Sequence, residues 1–418
     1  MLISMKVAII SSGFFPVIDG ITVTLFHRLQ KLSEYGHQVL LFCPDYTCLK
    51  KIYPNYQVYT GQILPGVKVV NLSSTSFLDL EFERNVDYKS YQTVLQELEK
   101  FQPDIIHVDE PERLFWGFLR IPGVDFAKRH HLPCVSFFHT NFLEYGEDYF
   151  PLPPLLENLI KSGFKLFLQW LYNSYDLTLV SGEITYRKLL DWKINRVYKS
   201  DLLGVDVPKF SPLLREENFW EQKYQITNLE SKIKLIFLGR LTPDKGWKFT
   251  IDAFSQSLDE INPENIALII AGDGSMRAEI AEKLSKFTAN VHLLGRIPPE
   301  DVLTLLANAD VHVTTSEKET KGLTILEAFA SGIPVIAPRA GGAIDSIKDG
   351  WNGFLFTPKD EKDFISKLKL LIDNPTLRQT MGANAQNYVT KYTWDYTVQN
   401  LLDIWREQIA KNKAKHKI

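Results

Sequence analysis

Cysteine is scarce in this chain. Cys43, Cys48 and Cys134 are the three present, an odd number with no Cys-x-x-Cys pair. Such usage argues against a disulfide framework and a thiolate metal site, and points to a reducing cytosol. Long apolar runs are missing too: no stretch reaches about 18 apolar residues without charge, so no membrane-spanning helix is expected. The N-terminus enters a strand-like run, Lys6–Ser11, almost at once, and no signal peptide is expected. Neither sign of charge dominates: 47 Lys and Arg stand against 50 Asp and Glu, a formal net charge of −3. That balance gives no support for a nucleic-acid footprint, and no nucleic-acid partner is expected. The G-x-G-x-x-G fingerprint and the Walker loop ending in Gly-Lys-Ser/Thr are both absent, which weakens hydride transfer and P-loop phosphoryl transfer as functions.

What remains is an ordinary globular composition, 45% hydrophobic and 23% charged over 418 residues. That length exceeds one compact core and predicts two domains of about 200 residues each. Short β-branched runs at Val7–Ser11, Val39–Phe42, Val67–Asn71, Ile105–Val108, Cys134–Phe138 and Leu177–Val180 read as strands. They are nearly continuous in apolar residues, as strands covered on both faces are, and helical patterns separate them. The alternation predicts an α/β fold with a doubly wound parallel sheet. It restarts with Leu235–Leu238, Ala267–Ile270, Val291–Leu294, Val311–Thr314 and Pro334–Ala337, predicting a second such sheet. The polar stretch Pro212–Lys232 reads as the connection. The expected division is residues 1–211, residues 212–392, and a C-terminal helix over 393–418 that packs back on the first domain. That helix carries Val398, Leu401, Leu402, Ile404 and Trp405 on one face. It ends in Lys411, Lys413, Lys415 and Lys417, cations that suit either a helix C-terminus or a membrane surface.

Ligands of open α/β sheets bind at the carboxyl ends of the strands, so the loops there carry the candidate chemistry. After the first strand, Ser12–Gly20 precedes a helix, a place where glycine and a helix N-terminus can receive an anion or simply turn the chain. Gly239-Arg240-Leu241-Thr242-Pro243-Asp244-Lys245-Gly246 puts an Arg and a Lys on one short loop, able to clamp a diphosphate or to face solvent. Ala271-Gly272-Asp273-Gly274, Gly295-Arg296-Ile297 and Ala340-Gly341-Gly342 are further turns, each open to a structural or a ligand-facing reading. His139 stands where a strand gives out and could hydrogen-bond a sugar hydroxyl; His107 and Glu110 follow another strand. Glu319 and Glu327 lie eight residues apart around Gly322 and Leu323, suggesting one acid on a loop and one on a helix.

In this order the motifs resemble glycosyltransferase family 4, retaining nucleotide-sugar transferases with the GT-B fold of two doubly wound Rossmann-like domains facing across a cleft. The resemblance covers nearly the whole chain and is strongest from 235 to 357. It rests on the loop after strand one, Gly-Arg-Leu-x-x-x-Lys-Gly, Gly-Asp-Gly, the Leu-Gly turn, Glu-x7-Glu, Gly-x-Pro-Val at 332–335, Asn352-Gly353-Phe354-Leu355 and Gly204-Val205-Asp206. It implies an acceptor-binding first domain and a nucleotide-sugar-binding second domain. Arg240 and Lys245 would hold the donor diphosphate, Glu319 the transferred sugar, Glu327 the ribose hydroxyls, and the amides of Gly322 and Leu323 the phosphates. Gly20 would give a backbone contact, with Gly272 in the Gly-rich turn and Arg296 and Ile297 near the base. His139 would lie near the donor sugar and acceptor. The catalytic set implied is thus Arg240, Lys245, Glu319 and His139. It implies transfer on one face, with the leaving phosphate taking the acceptor's proton. No Asp-x-Asp occurs, so neither a divalent metal nor a cofactor is expected beyond the nucleotide-sugar donor, a UDP-sugar.

Two positions depart from the family pattern. Lys321 stands where an aromatic is usual, and Asp19 precedes Gly20 where many members have Gly-Gly. The acceptor signal lies at Pro151–Tyr175, where Glu157, Lys161, Lys165 and Gln169 form a narrow polar face beside a wide apolar arc. Such a helix is either packed in the domain or dips into a membrane interface. Phe137, Phe138, Phe142, Tyr145, Tyr149 and Phe150 crowd upstream. Residues 139–145 and the first loop look most like the branch that builds digalactosyl- and sulfoquinovosyl-diacylglycerol. The resemblance therefore implies a diacylglycerol-type glycolipid acceptor and peripheral contact with the cytoplasmic membrane face. Alternatives are a soluble or polysaccharide acceptor, sulfoquinovosyl transfer to diacylglycerol, or a non-catalytic sugar-binding protein.

Overall fold

The computed structural model describes residues 4–77, 80–139, 154–257, 260–319 and 321–416. Phe142, Tyr145, Tyr149, Phe150, Thr320 and Lys417 lie outside them. The chain forms two compact units: one holds the described residues up to 139, 154–203 and the C-terminal segment from Trp394, and the other 204–393.

The first unit is built on strands β1 (Lys6–Ser11), β2 (Gln38–Pro44), β3 (Gly61–Leu64), β4 (Val67–Leu72), β7 (Ile105–Asp109), β8 (Cys134–Phe137), β9 (Leu177–Val180) and β10 (Val197–Lys199). Strands β5 (Ser74–Phe77) and β6 (Leu80–Val86) pair as a separate antiparallel hairpin. The main sheet runs β10-β9-β8-β7-β1-β2-β4-β3. Only β3 is antiparallel within it. The sheet order reverses between β1 and β7, because β1 pairs in parallel with both β2 and β7. That reversal is the topological switch point, where a crevice opens at the strand ends.

The second unit repeats the plan with β11 (Ile233–Leu238), β12 (Ile266–Ala271), β13 (Val291–Gly295), β14 (Val311–Val313), β15 (Val335–Pro338) and β16 (Gly353–Phe356). These run β13-β12-β11-β14-β15-β16, all parallel, with the switch point between β11 and β14. All six residues of β12 are buried, as a strand covered on both faces requires.

The stretch Pro212–Lys232 is not a free connection. Phe219 and Trp220 are buried in the second unit's core, and the Trp220 indole donates to the Asn308 carbonyl at 3.2 Å. Burying two large aromatics outweighs the polar composition around them. The helix Trp394–Lys415 packs on the first unit: Val398, Leu401, Leu402, Ile404 and Trp405 join the core beside β1 and β2. At its start, Trp394 stacks on His27 with ring centroids 4.7 Å apart, and Asp395 accepts from the Tyr35 hydroxyl at 2.7 Å. Lys411, Lys413 and Lys415 are exposed in its last turns.

Candidate active site

In the second unit, three loops at the strand ends are knitted together. Leu241 N–H donates to the Asp273 carbonyl at 3.0 Å, joining the loops after β11 and β12. Gly272 is required sterically: its φ is +150°, and a Cβ there would stand 1.8 Å from the Gly239 carbonyl oxygen. Its amide is already spent on the Gly295 carbonyl at 2.7 Å, so its place in the site is to let the strand ends approach. On the other side of β11, a Cβ on Gly246 would meet the Thr315 carbonyl oxygen at 2.3 Å. The Thr315 hydroxyl donates to the carbonyls of Lys245 or Gly246, at 3.2 and 3.1 Å. The loop carrying Lys245 is thereby held against the loop carrying Glu319, across the switch point.

There Lys245 Nζ donates to Glu319 Oε1 at 2.5 Å, with both side chains about a fifth exposed (21% and 23%). Burial works against Glu319's charge, but Lys245 and, more weakly, Arg240 outweigh it and hold the carboxyl below its usual range. Arg240 meets the fully buried carboxylate of Asp244 at 3.2 Å. Motif reading passed over Asp244, which sits inside the Arg–Lys loop and holds the Arg240 guanidinium. Glu319's own carbonyl accepts from the Gly342 amide at 2.5 Å, so the Gly341-Gly342 turn braces the acid.

Gly322 precedes the helix Leu323–Ala330, which carries Glu327. Glu327 keeps partial exposure, yet desolvation pushes its carboxyl up to about 7. His312, at the centre of β14, fastens this helix: its Nδ1–H donates to the Ile236 carbonyl at 3.1 Å and its Nε2 accepts from the Thr324 hydroxyl at 3.2 Å. That pairing suits a neutral ring, and burial lowers it to about 4. Lys321 neither faces solvent nor adds an open cation. It is 3% exposed, with Nζ 5.3 Å from the centre of the Tyr392 ring. Arg296, after β13, is exposed and lies 3.8 Å from Asp273, while Ile297 packs against the core.

In the first unit, the loop after β1 differs from an open anion site. Asp19 caps the helix Gly20–Glu34, accepting from the amides of Ile21 and Thr22 at 2.8 Å each. The helix N-terminus therefore already holds a carboxylate. Gly20 is the helix's first residue, with open space where a Cβ would stand.

The polar centre of this unit lies at its own switch point. Asp109, at the end of β7, is buried and accepts from His139 Nε2 at 2.7 Å, His107 Nε2 at 3.1 Å and Arg28 at 3.3 Å. Burial alone would raise its carboxyl; Arg28, His107 and His139 together hold it well below the usual range. Beside it, Glu110 accepts from the Ser12 hydroxyl, and Glu112 from the Tyr172 hydroxyl. Burial, reinforced by Glu110, pushes the Glu112 carboxyl up to about 8. Sequence reading singled out His139 but missed Asp109, Arg28 and Glu112; no motif marks them, because elements distant in the chain bring them together.

The helix Pro154–Tyr172 is not packed on most sides. Leu168, Leu171 and Tyr172 are buried, whereas Leu159 (70%), Ile160, Leu166 (66%) and Trp170 (53%) are exposed. Trp116 and Leu119, at the end of the helix Pro111–Phe118, extend this apolar surface, and Phe167 packs between Phe115 and Trp116. Among the described residues no helix is long and apolar enough to cross a membrane.

Two family models match the chain. The model described as Glycosyltransferase Family 4 matches residues 18–198, and the one described as Glycosyl transferases group 1 matches 218–388. A sulfoquinovosyl transferase of Arabidopsis thaliana is 32% identical over 308 residues, 72% of this chain, which spans only 56% of that relative's length. A GDP-mannose-dependent alpha-mannosyltransferase of Corynebacterium glutamicum is 27% identical over 97% of this chain and 90% of its own. The alpha-monoglucosyldiacylglycerol synthase of Streptococcus pneumoniae is 25% identical over 80% of this chain and 71% of its own. Among solved structures, Anabaena HepE in complex with UDP and glucose superposes with a TM-score of 0.72 at 18% identity, covering 96% of this chain and 100% of its own. With two Rossmann-like units and a family model on each, the chain belongs to the family 4 glycosyltransferases and has the GT-B fold.

Proposed function

We propose that this protein transfers a sugar, with retention and without a metal, from a UDP-sugar to a diacylglycerol-type glycolipid at the cytoplasmic membrane face. The observation that carries the transfer chemistry is the cluster of Lys245, Arg240 and Glu319 at the second switch point. Two fixed cations there can neutralise charge as it develops on a departing diphosphate. A diphosphate has to compete with Glu319 for Lys245 and with Asp244 for Arg240. Glu319, once displaced from Lys245, is left to hydroxyls of the transferred sugar. Glu327, largely desolvated, suits two ribose hydroxyls, and the first turn of its helix suits the phosphates. Gly20, Arg296, Ile297 and His139 complete the proposed donor and acceptor contacts.

Two observations favour a lipid acceptor. The exposed Trp116, Leu159, Leu166 and Trp170 form an apolar surface beside Lys161 and Lys165, a pattern that suits the headgroup region of an anionic bilayer. One relative is named for monoglucosyldiacylglycerol synthesis. A second reading, GDP-mannose with a mannosyl acceptor, draws on the fuller length match to the mannosyltransferase. A donor screen on liposomes with and without monoglycosyl-diacylglycerol tests both. The lipid reading expects UDP release only with glycolipid present; turnover with GDP-mannose and a soluble acceptor alone would replace it.

A further inference from the structure

We propose that Asp109 and Trp405 are positioning residues: Asp109 fixes His139 as the tautomer protonated on Nε2, so that Nδ1 offers a lone pair to a substrate hydroxyl, and Trp405, through His107, holds Asp109 in place for it. The inference rests on the glycosyl-transfer reading only for the identity of that hydroxyl. The proton assignment follows from two groups whose roles are unambiguous. An indole N–H can only donate, and an ionised carboxylate can only accept.

Trp405, on the C-terminal helix, has Nε1 at 3.2 Å from His107 Nδ1. His107 Nδ1 must therefore accept, and in the neutral ring the proton lies on Nε2. That nitrogen lies 3.1 Å from Asp109 Oδ1 and 3.3 Å from Arg28, whose guanidinium can only donate; with Nδ1 occupied by the indole N–H, the ring proton sits on Nε2 and goes to the nearer carboxylate, while Arg28 donates to Asp109 Oδ2. Burial keeps His107 neutral by lowering its affinity for a second proton. The Arg28 guanidinium, 3.3 Å from Asp109 Oδ2, keeps the carboxylate ionised. Asp109 can then meet His139 Nε2, at 2.7 Å, only as an acceptor, so His139 carries its proton there. Among the described residues, the titratable groups that shift Asp109 are Arg28 from the first helix, His107 from its own strand and His139, just past the end of β8; the Phe137 ring lies 5.5 Å from the Arg28 guanidinium. The C-terminal helix thus sets the proton on His107, and both histidines present their Nε2–H to the same oxygen, Asp109 Oδ1. Such outer partners commonly fix a histidine's tautomer.

The test is 15N NMR of histidine-labelled full-length protein, in which protonated and unprotonated ring nitrogens resonate far apart, combined with kinetics. Wild type is expected to show His139 protonated on Nε2. Asp109→Asn is expected to mix the tautomers, because an amide can also donate, and to lower kcat on the order of 10²-fold with the donor KM little changed. Trp405→Phe is expected to disturb the His107 resonances and to lower kcat roughly 2- to 10-fold. Leu401→Ala, on the same helix, should lower the melting temperature but leave tautomers and kcat alone. Nδ1–H on His139 in wild type, or an unaltered spectrum in Trp405→Phe, would overturn the proposal. The spectrum needs no substrate, so it decides even if no sugar donor is turned over.

Discussion

Replacing Lys245 with alanine separates catalysis from stability. The ammonium pairs with Glu319 at 2.5 Å, and both side chains are about a fifth exposed. Solvent screening at that exposure discounts the pair's contribution to stability to on the order of 1 kcal/mol. In the proposed transfer, the same cation faces a leaving diphosphate, where loss of one preorganised partner costs roughly 10²–10³ in kcat, about 2.7–4 kcal/mol. Activity should therefore collapse while the melting temperature moves by a few degrees. Nucleotide release at saturating donor, read beside a thermal melt, measures both. Lys245→Arg, which keeps the charge, should recover part of the rate. A Lys245→Ala rate within about threefold of wild type would refute the assignment, and so would a loss fully matched by unfolding. The pH dependence carries a sign. Glu319's folded value lies below its ordinary value of 4.5, so the pair contributes stability above 4.5 and loses it as pH falls through the lower folded value. Lys245→Ala should flatten that acid limb.

Four further outcomes are expected. Glu327→Gln should raise the donor KM with a smaller loss in kcat, as expected if it binds ribose in ground and transition states alike. Glu112, raised to about 8 from 4.5, contributes stability present below 4.5 and lost as pH rises through about 8; the slope is at most about 1.4 kcal/mol per pH unit, and Glu112→Gln should remove it from melts taken between pH 6 and 9. Gly272→Ala should prevent stable folding of the second unit, because its Cβ would stand 1.8 Å from a carbonyl oxygen, whereas Gly20→Ala should melt within about 1 kcal/mol of wild type; circular dichroism compares them. Exchanging Leu166 and Trp170 for serine should reduce sedimentation with anionic liposomes while leaving the melt in place, since both are more than half exposed.

The fold was largely legible because its strands are continuous apolar runs, and every strand read from the sequence lies within or against an observed one. The strands overlooked are edges or short: β3, the β5–β6 hairpin, β10 and β16. Edge strands such as Val197–Lys199 expose a face and lose the apolar signal. The polar stretch after Pro212 misled for a local reason: its composition is hydrophilic, but Phe219 and Trp220 decide where it goes. In the site, residues on one loop could be found together, as Arg240 and Lys245 were. Their pairing with Glu319 is 74 residues away in sequence and follows from which strands neighbour β11. Asp109 gave no motif because its partners come from the first helix, its own strand and the end of β8. Lys321 defied sequence reading because its partner, Tyr392, lies far along the chain.

The most direct test of glycosyl transfer to lipid is the anomeric configuration of the product. Purified protein, an α-linked UDP-sugar and liposomes carrying monoglycosyl-diacylglycerol should yield a glycolipid whose new anomeric proton shows the small coupling of an α-linkage. A β-linked product would contradict retention, and nucleotide release that ignores the lipid would contradict the acceptor.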